Sequence, residues 1–238
     1  MSREGNLLKN TFVLSIGVFL PKLVGFITLP LLTAYLTTAE YGTYDLVTVL
    51  ASLVLPAATL QIQTAAFRFL IDSRDDKQET DKIITGIYAF IIPTSIIALV
   101  ILFFVLNSVA VSSRLLICAY FLFDILENAA RQIVRGLSDN KSYSVSSIIS
   151  ALGKMIFVVI FVWWLREGLN GALVCLCVSS ALSLAYLCLK GNVLSHFHLI
   201  SLSKKKIREM VSYSWPMVPN SLSMWVMSVS DRFVLTLF

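Results

Sequence analysis

Four charged residues recur at helical spacing within one long apolar run. Asp124, Glu127, Arg131 and Arg135 are three, four and four residues apart, so they share an arc of about 80° on one face of a helix. A charge at the centre of a bilayer costs about 2.5 to 3.5 kcal/mol on insertion scales, so these side chains are expected to face protein or water. Two interpretations stay open: an internal ion pair, above all between Glu127 and Arg131, and a role for Asp124 and Glu127 in binding a coupling proton or sodium ion.

Lys22, Arg68 and Lys154 are cations within three other apolar runs. Lys22 and Lys154 each come about eleven residues after the expected start of a helix, which corresponds to a depth of about 16 Å. From that depth a lysine does not easily reach the interface. On the first helix a polar or small stripe contains Thr11, Ser15, Lys22, Gly25 and Thr33. The lysines therefore indicate either a hydrated cavity that attracts an anion or buried ion pairs.

The elements that must position these residues are membrane helices. The 238 residues are 57% hydrophobic and only 14% charged, and the mean hydropathy is +0.82, which is too apolar for a soluble domain. The net charge of +5 does not indicate a nucleic-acid partner, because the basic residues lie mostly between the apolar runs. No motif predicts a cofactor, a metal site or ATP hydrolysis, and the four cysteines lie inside apolar runs without metal-ligand spacing.

Six complete membrane helices and a seventh are predicted, since a spanning helix needs about 20 mostly apolar residues. The predicted spans are 11–36, 44–70, 83–106, 115–137, 143–165, 169–189 and 211–238. Eleven lysines and arginines lie on one side of this arrangement, against only Arg114 and Arg166 on the other. Because positive charge stays on the cytoplasmic side, a multi-pass protein with a cytoplasmic N-terminus is predicted.

The spans divide into two parts. Residues 1–200 form a six-helix membrane lobe, and residues 201–238 form a basic cytoplasmic connection and the first helix of a second lobe. The sequence ends at Phe238 within an apolar helix. Helix ends in lipid need partners for their backbone groups, so the chain is expected to be part of a longer one.

Four stretches carry a resemblance to a known family. They are LLKNTFVLSIGVFLPKLVGFITLPLLTAYLTTAEYGTYDL (7–46), AAFRFL (65–70), VRGLSDNKSY (134–143) and SWPMVPNSLSMWVMSVSDRFVL (214–235). The most telling pieces are the L-x-x-x-E-Y-G-x-Y turn after the first helix and the Asp-Arg pair in the seventh. The chain resembles the first half of a polysaccharide (O-antigen type) flippase of the multidrug/oligosaccharidyl-lipid/polysaccharide exporter superfamily.

The resemblance implies an all-α integral membrane protein that forms the first lobe of a two-lobed transporter. Such proteins move undecaprenyl-diphosphate-linked oligosaccharides across the bacterial cytoplasmic (inner) membrane by alternating access, for surface polysaccharides such as lipopolysaccharide and exopolysaccharide. The implied partners are the lipid-linked oligosaccharide, the bilayer and other polysaccharide-assembly membrane proteins. The family's cavity is often cationic, and the candidate cavity residues are Lys22, Arg68, Arg131, Arg135, Lys154 and Arg232.

Two other functions compete with this one. A cation-coupled multidrug exporter of the same superfamily would use Asp124 and Glu127 instead of the lysines. A membrane sugar polymerase or ligase is disfavoured, because such enzymes generally need a sizeable outer loop and the outer connections here are short. The chain is therefore predicted not to be an enzyme.

Overall fold

α-Helices form the regular structure of the described part of the chain. The computed structural model describes residues 3–73, 76–107, 109–191, 193, 195 and 202–237, and within these ranges it describes the side chains of 11–227, 229 and 230. The helices are α1 (Arg3–Tyr35), α2 (Thr38–Thr59), α3 (Ile62–Asp72), α4 (Lys77–Val105), α5 (Val111–Gly136), α6 (Asn140–Phe157, continued by a π-helix over Val158–Trp164), α7 (Gly168–Lys190), α8 (Lys204–Ser214) and α9 (Met217–Leu237).

The prediction of a multi-pass helical bundle is confirmed. Within the described ranges, five helices are long and apolar enough to cross a membrane: α1, α2, α4, α6 with its π-helix, and α7. The structure does not establish the predicted six complete spans and a seventh. α5 has 26 residues, about 39 Å of helix, but its charged face makes it less apolar than these five.

The predicted single helix over 44–70 is wrong, because the chain breaks between α2 and α3. Leu60 and Gln61 have φ angles of 47° and 59°, a left-handed conformation that residues other than glycine rarely adopt. The Gln61 amide stabilises the break: its oxygen accepts a hydrogen bond from the Thr64 hydroxyl (2.8 Å), and its nitrogen donates to Ser221 Oγ in α9 (2.9 Å). The second contact joins residues 160 positions apart, which no local pattern predicts.

The predicted helix over 211–238 is also divided. α8 ends at Ser214, and α9 begins at Met217 after a turn at Trp215 and Pro216. Pro216 explains the division, because proline has no N–H to continue the preceding helix and its fixed φ suits the start of the next. α8 is thus a separate short helix that packs on α3 and α4, while α9 packs against α2.

Two buried clusters hold the helices together. The first joins α3, α4 and the second half of α5 with single residues of α2, α7 and α8, and its fully buried members include Ile62, Leu70, Ile84, Ile87 and Ile133. The second joins α1, α2, the first half of α5, α6 and α7, and it includes Leu32, Val47, Phe121, Val158 and Leu173. Both clusters contain residues of α2, α5 and α7, so these three helices connect the two halves of the core.

α1 packs closely on α6 at a glycine. A Cβ atom on Gly17 would lie 2.7 Å from Ser144 Oγ and 2.8 Å from Ser144 Cα, closer than real Cβ atoms come. Small residues allow membrane helices to approach in this way. The opposite side of α1 is exposed, and all five residues of its predicted polar stripe lie there: Thr11, Ser15, Lys22, Gly25 and Thr33.

The predicted E-Y-G turn is the first helical turn of α2, and its Glu40 ties the start of α2 to the start of α7. Its carboxylate accepts hydrogen bonds from the Thr37 backbone N–H (2.9 Å), the Thr37 hydroxyl (2.8 Å) and the Leu169 N–H (3.2 Å). The bond from the Thr37 N–H, together with one from the Glu40 N–H to the Thr37 hydroxyl (3.3 Å), forms a capping box, which satisfies free N–H groups at a helix start. Gly168 has a φ of 57°, and a Cβ there would meet Glu40 Oε1 at 2.3 Å, so glycine is required. The turn that carries the family resemblance thus has a structural explanation.

Candidate functional site

The candidate site is a cavity of about 570 Å³ between α2, α5 and α9. Its polar lining consists of neutral side chains and one carboxylate. α2 contributes Thr48 and Ser52, α5 contributes Tyr120, Asp124 and Asn128, α9 contributes Asn220, Ser221 and Trp225, and the α2–α3 break contributes Gln61. Lysine and arginine are absent from the described lining.

Three of these side chains have no internal partner. Asp124, Asn128 and Asn220 make no hydrogen bond or ion pair with any residue whose side chain is described. Asp124 and Asn128 are four residues apart on α5, so they project on the same side of the helix. Polar groups within a membrane bundle normally bond to one another, and those that do not are expected to face water or a ligand.

Several other polar groups, on the α2 and α9 walls, are held in fixed orientations. The hydroxyl of Thr48 donates to Asp45 O (2.8 Å), and that of Ser52 donates to Val49 O (2.6 Å). Each oxygen therefore offers only its acceptor lone pairs to the cavity. The indole nitrogen of Trp225 also donates to Val49 O (3.1 Å), which fixes the ring against α2.

The predicted ion pair between Glu127 and Arg131 is present, and it lies among α5, α6 and α7 instead of in the cavity. The Glu127 carboxylate bonds to the guanidinium, and its side chain is only 4% exposed. The same guanidinium nitrogen lies 3.5 Å from Ser146 O and from Ser183 Oγ. Ser183 in turn donates to Ser146 O at 3.0 Å, so the pair connects three helices. The two carboxylates of α5 therefore have different surroundings.

Three other predicted cations lie over aromatic rings, at different places in the bundle. Arg68 lies 4.7 Å from the ring centre of Tyr213 in α8, and Arg135 lies 4.7 Å from that of Phe67 in α3. Lys154 Nζ lies 5.5 Å from the ring of Tyr44 in α2. Such contacts stabilise a cation by about 0.5 to 2 kcal/mol.

Lys22 differs from these cations. It lies on the exposed stripe of α1, with no ion-pair partner among the described residues. The side chain of Arg232 lies outside the described residues. Within the described part, the structure does not bring the predicted cations together, and their role in a common cavity stays a prediction.

Comparison with known proteins identifies the family. A sequence profile described as "Polysaccharide biosynthesis protein" matches residues 7–238. This chain belongs to that family. The family assignment that the sequence pieces predicted is thus confirmed. None of the curated proteins compared with the chain matches it.

Solved transporters of the MATE and MOP type share the fold of this family member. A MATE crystallised in complex with Br-NRF superimposes with a TM-score of 0.75 at 15% identity, over 96% of this chain and 57% of its own. An outward-facing multidrug resistance MATE family transporter of the MOP superfamily gives 0.71 at 15% identity, over 92% and 53%. A MOP superfamily transporter from Pyrococcus furiosus gives the same values. The chain spans a little over half the length of these proteins, and the likeness establishes the fold alone.

The sequence analysis missed most of the neutral cavity residues of this family member, because it searched for charges. A usable signal was present: polar residues four apart on the same helix face, as in Thr48 and Ser52 or in Asp124 and Asn128. Ser221 and Trp225 of α9 have the same spacing, but only the packing of α9 on α2 joins them and Asn220 to the site.

Proposed function

We propose that this chain forms the first lobe, and the first helix of the second lobe, of a flippase. Its substrate is an undecaprenyl-diphosphate-linked oligosaccharide, which it moves across the bacterial cytoplasmic membrane. The observation that carries the proposal is the match of residues 7–238 to a polysaccharide biosynthesis family. The transporter fold supports it. In this arrangement α5 crosses the membrane despite its charges. Together with the five more apolar helices it gives six complete spans, and α9 is the seventh.

The cavity between α2, α5 and α9 is central to this proposal. α2 and α5 belong to the first lobe and α9 to the second, so movement between the lobes changes the opening of the cavity. Rocking of two halves around a fixed site is the usual form of alternating access. The cavity polar groups without internal partners are the surface that such a movement presents to each side in turn.

Lys22 is proposed to attract the diphosphate. Its stripe lies on the exposed side of α1, away from the contact with α6, and no described carboxylate neutralises it. A lysine in a medium less polar than water acts on an anion as a point charge. The positive charge that attracts the diphosphate is proposed to come also, to a smaller extent, from Arg68, Arg131, Arg135, Lys154 and Arg232. The first four of these have contacts within the bundle as well.

The N-terminus is proposed to be cytoplasmic on the basis of the charge bias. Ala39, an exposed residue next to the Glu40 cap, is then external, and Lys205 is cytoplasmic. A cysteine at each position should react with a membrane-impermeant reagent from opposite sides. Labelling of both from the same side contradicts this orientation.

A cation-coupled multidrug exporter is the second candidate. The observation that favours it is the Asp124 carboxylate, which lines the cavity without a lysine or arginine in the described lining. Such a site attracts a cationic compound or a coupling cation. The two functions predict different phenotypes for loss of the gene.

Gene deletion in the host separates the two candidates. The flippase proposal predicts loss of the surface polysaccharide, intracellular accumulation of lipid-linked oligosaccharide and unchanged efflux of a cationic dye. Full-length wild type and Lys22→Arg should restore the polysaccharide, whereas Lys22→Ala at equal protein level should not. Normal polysaccharide together with impaired dye efflux in the deletion strain contradicts the proposal and supports the exporter.

A further inference from the structure

We infer that the α2/α5/α9 cavity binds sugar units of the lipid-linked oligosaccharide, and that the diphosphate is held elsewhere. This inference rests on the proposed function and concerns the division of one substrate between two sites. It assigns Asp124, Asn128 and Asn220 as the residues that contact sugar hydroxyls. The geometry supports it in three independent ways.

Charge argues against a phosphate in this cavity. The described lining contains the Asp124 carboxylate and no lysine or arginine. The nearest cation on the same helix face, Arg131, is bonded to Glu127. A carboxylate without a paired cation repels a diphosphate, so the cavity selects against that part of the substrate.

The available hydrogen-bonding groups match a ligand with many hydroxyls. Asp124 can only accept while ionised, and the Thr48 and Ser52 oxygens offer acceptor lone pairs because their hydrogens are bonded to the α2 backbone. Asn128 and Asn220 can both donate and accept. A ligand that fills this cavity must therefore bring several donors, and sugar hydroxyls supply donors and acceptors together.

Size and shape favour an organic ligand over a bare metal ion. The volume of about 570 Å³ lies within the range of about 300 to 1,000 Å³ typical of small-molecule sites. Trp225, Met224 and Pro56 add apolar surface beside the polar groups. An indole ring next to amides and a carboxylate can contact the C–H face of a sugar ring while its hydroxyls are bonded at the edge.

The test separates the sugar from the phosphate. Mild acid releases the free oligosaccharide from the host's lipid-linked intermediates, and this soluble oligosaccharide is the probe. Its binding to the full-length protein in lipid nanodiscs is measured by tryptophan fluorescence and by saturation-transfer NMR, with inorganic diphosphate and sodium chloride as separate ligands. Asp124→Asn, Asn128→Ala and Asn220→Ala are compared with Ser223→Ala, an exposed position on α9 outside the cavity lining.

We expect the free oligosaccharide to bind the wild type and Ser223→Ala equally, and about tenfold more weakly to each cavity variant, because each change leaves a sugar hydroxyl without its hydrogen-bond partner. Equal binding to all variants, or no binding to the wild type, overturns the inference. The inference is also overturned if diphosphate or sodium binds to the wild type and to Ser223→Ala but not to the cavity variants. If gene deletion leaves surface polysaccharide intact, the proposed function fails; if deletion abolishes it but the oligosaccharide results are negative, only this inference fails.

Discussion

At the contact of α8 with α3 and α4, the charged side chains of Glu79, Lys206 and Arg68 all have partners, whereas several polar side chains of the cavity between α2, α5 and α9 have none. At the α8 contact, Glu79 bonds to Lys82 (2.8 Å) and to Lys206 (3.1 Å). Arg68 lies over Tyr213, whose ring meets Phe69 edge to face at 5.9 Å. In the cavity, Asp124, Asn128 and Asn220 form no hydrogen bond or ion pair with a described side chain.

The difference separates structural charges from groups available to a ligand. A charge that is paired or covered by a ring contributes to the packing of helices, and removing it should change stability. A polar group without a partner contributes little to folding, and removing it should change binding. The Glu127–Arg131 pair belongs to the first kind and Asp124 to the second, although all three lie on one face of α5.

The largest expected loss of stability comes from Arg131→Met. This change leaves the Glu127 carboxylate buried without its cation, which costs about 3 to 5 kcal/mol. We expect a large drop in melting temperature and in the amount of protein in the membrane. The double variant Glu127→Gln with Arg131→Met should recover most of both. If the double variant is as unstable as Arg131→Met alone, the loss of stability comes from lost packing and not from the unpaired Glu127 carboxylate.

Two glycines of α1 allow a closely packed position and an exposed position to be compared within one helix. Gly17→Ala should destabilise the protein by about 1 to 3 kcal/mol, because the added methyl group meets Ser144. Gly25→Ala is the matched control, since nothing lies within 4 Å of the added atom. Thermal unfolding in the same detergent compares the two. Equal melting temperatures would mean that α1 and α6 are not as closely packed as described.

The smallest effect is expected for Glu79→Gln at the α8 contact. Its side chain is one-third exposed, so its two ion pairs are screened by solvent. We expect a slight fall in melting temperature at low salt that disappears near about 1 M salt. Glu209→Gln, whose oxygen is 3.8 Å from Lys206, should have less effect still. A fall in melting temperature that does not depend on salt would indicate that Glu79 stabilises the protein through something other than its charge.

The sequence predicted the helical membrane class, the family and the Glu127–Arg131 pair, because hydropathy and helical spacing are local signals. It did not predict the break at Leu60 and Gln61, since the contact to Ser221 that stabilises it is long-range. The spacing of the buried charges also left open whether they pair with one another or face a ligand. Whether a cation meets an aromatic ring, as Lys154 meets Tyr44, depends on helix packing, which spacing alone does not determine.

The most direct test of the account compares Asp124→Asn with the wild type in the full-length protein, with melting temperature and surface polysaccharide measured on the same preparations. The two side chains have nearly the same shape, so the change removes the charge without creating a cavity. We expect Asp124→Asn to have an unchanged melting temperature and to give a strong loss of polysaccharide export in the deletion strain. Full export by Asp124→Asn, or a loss of export explained by unfolding, contradicts the assignment of this cavity as the functional site.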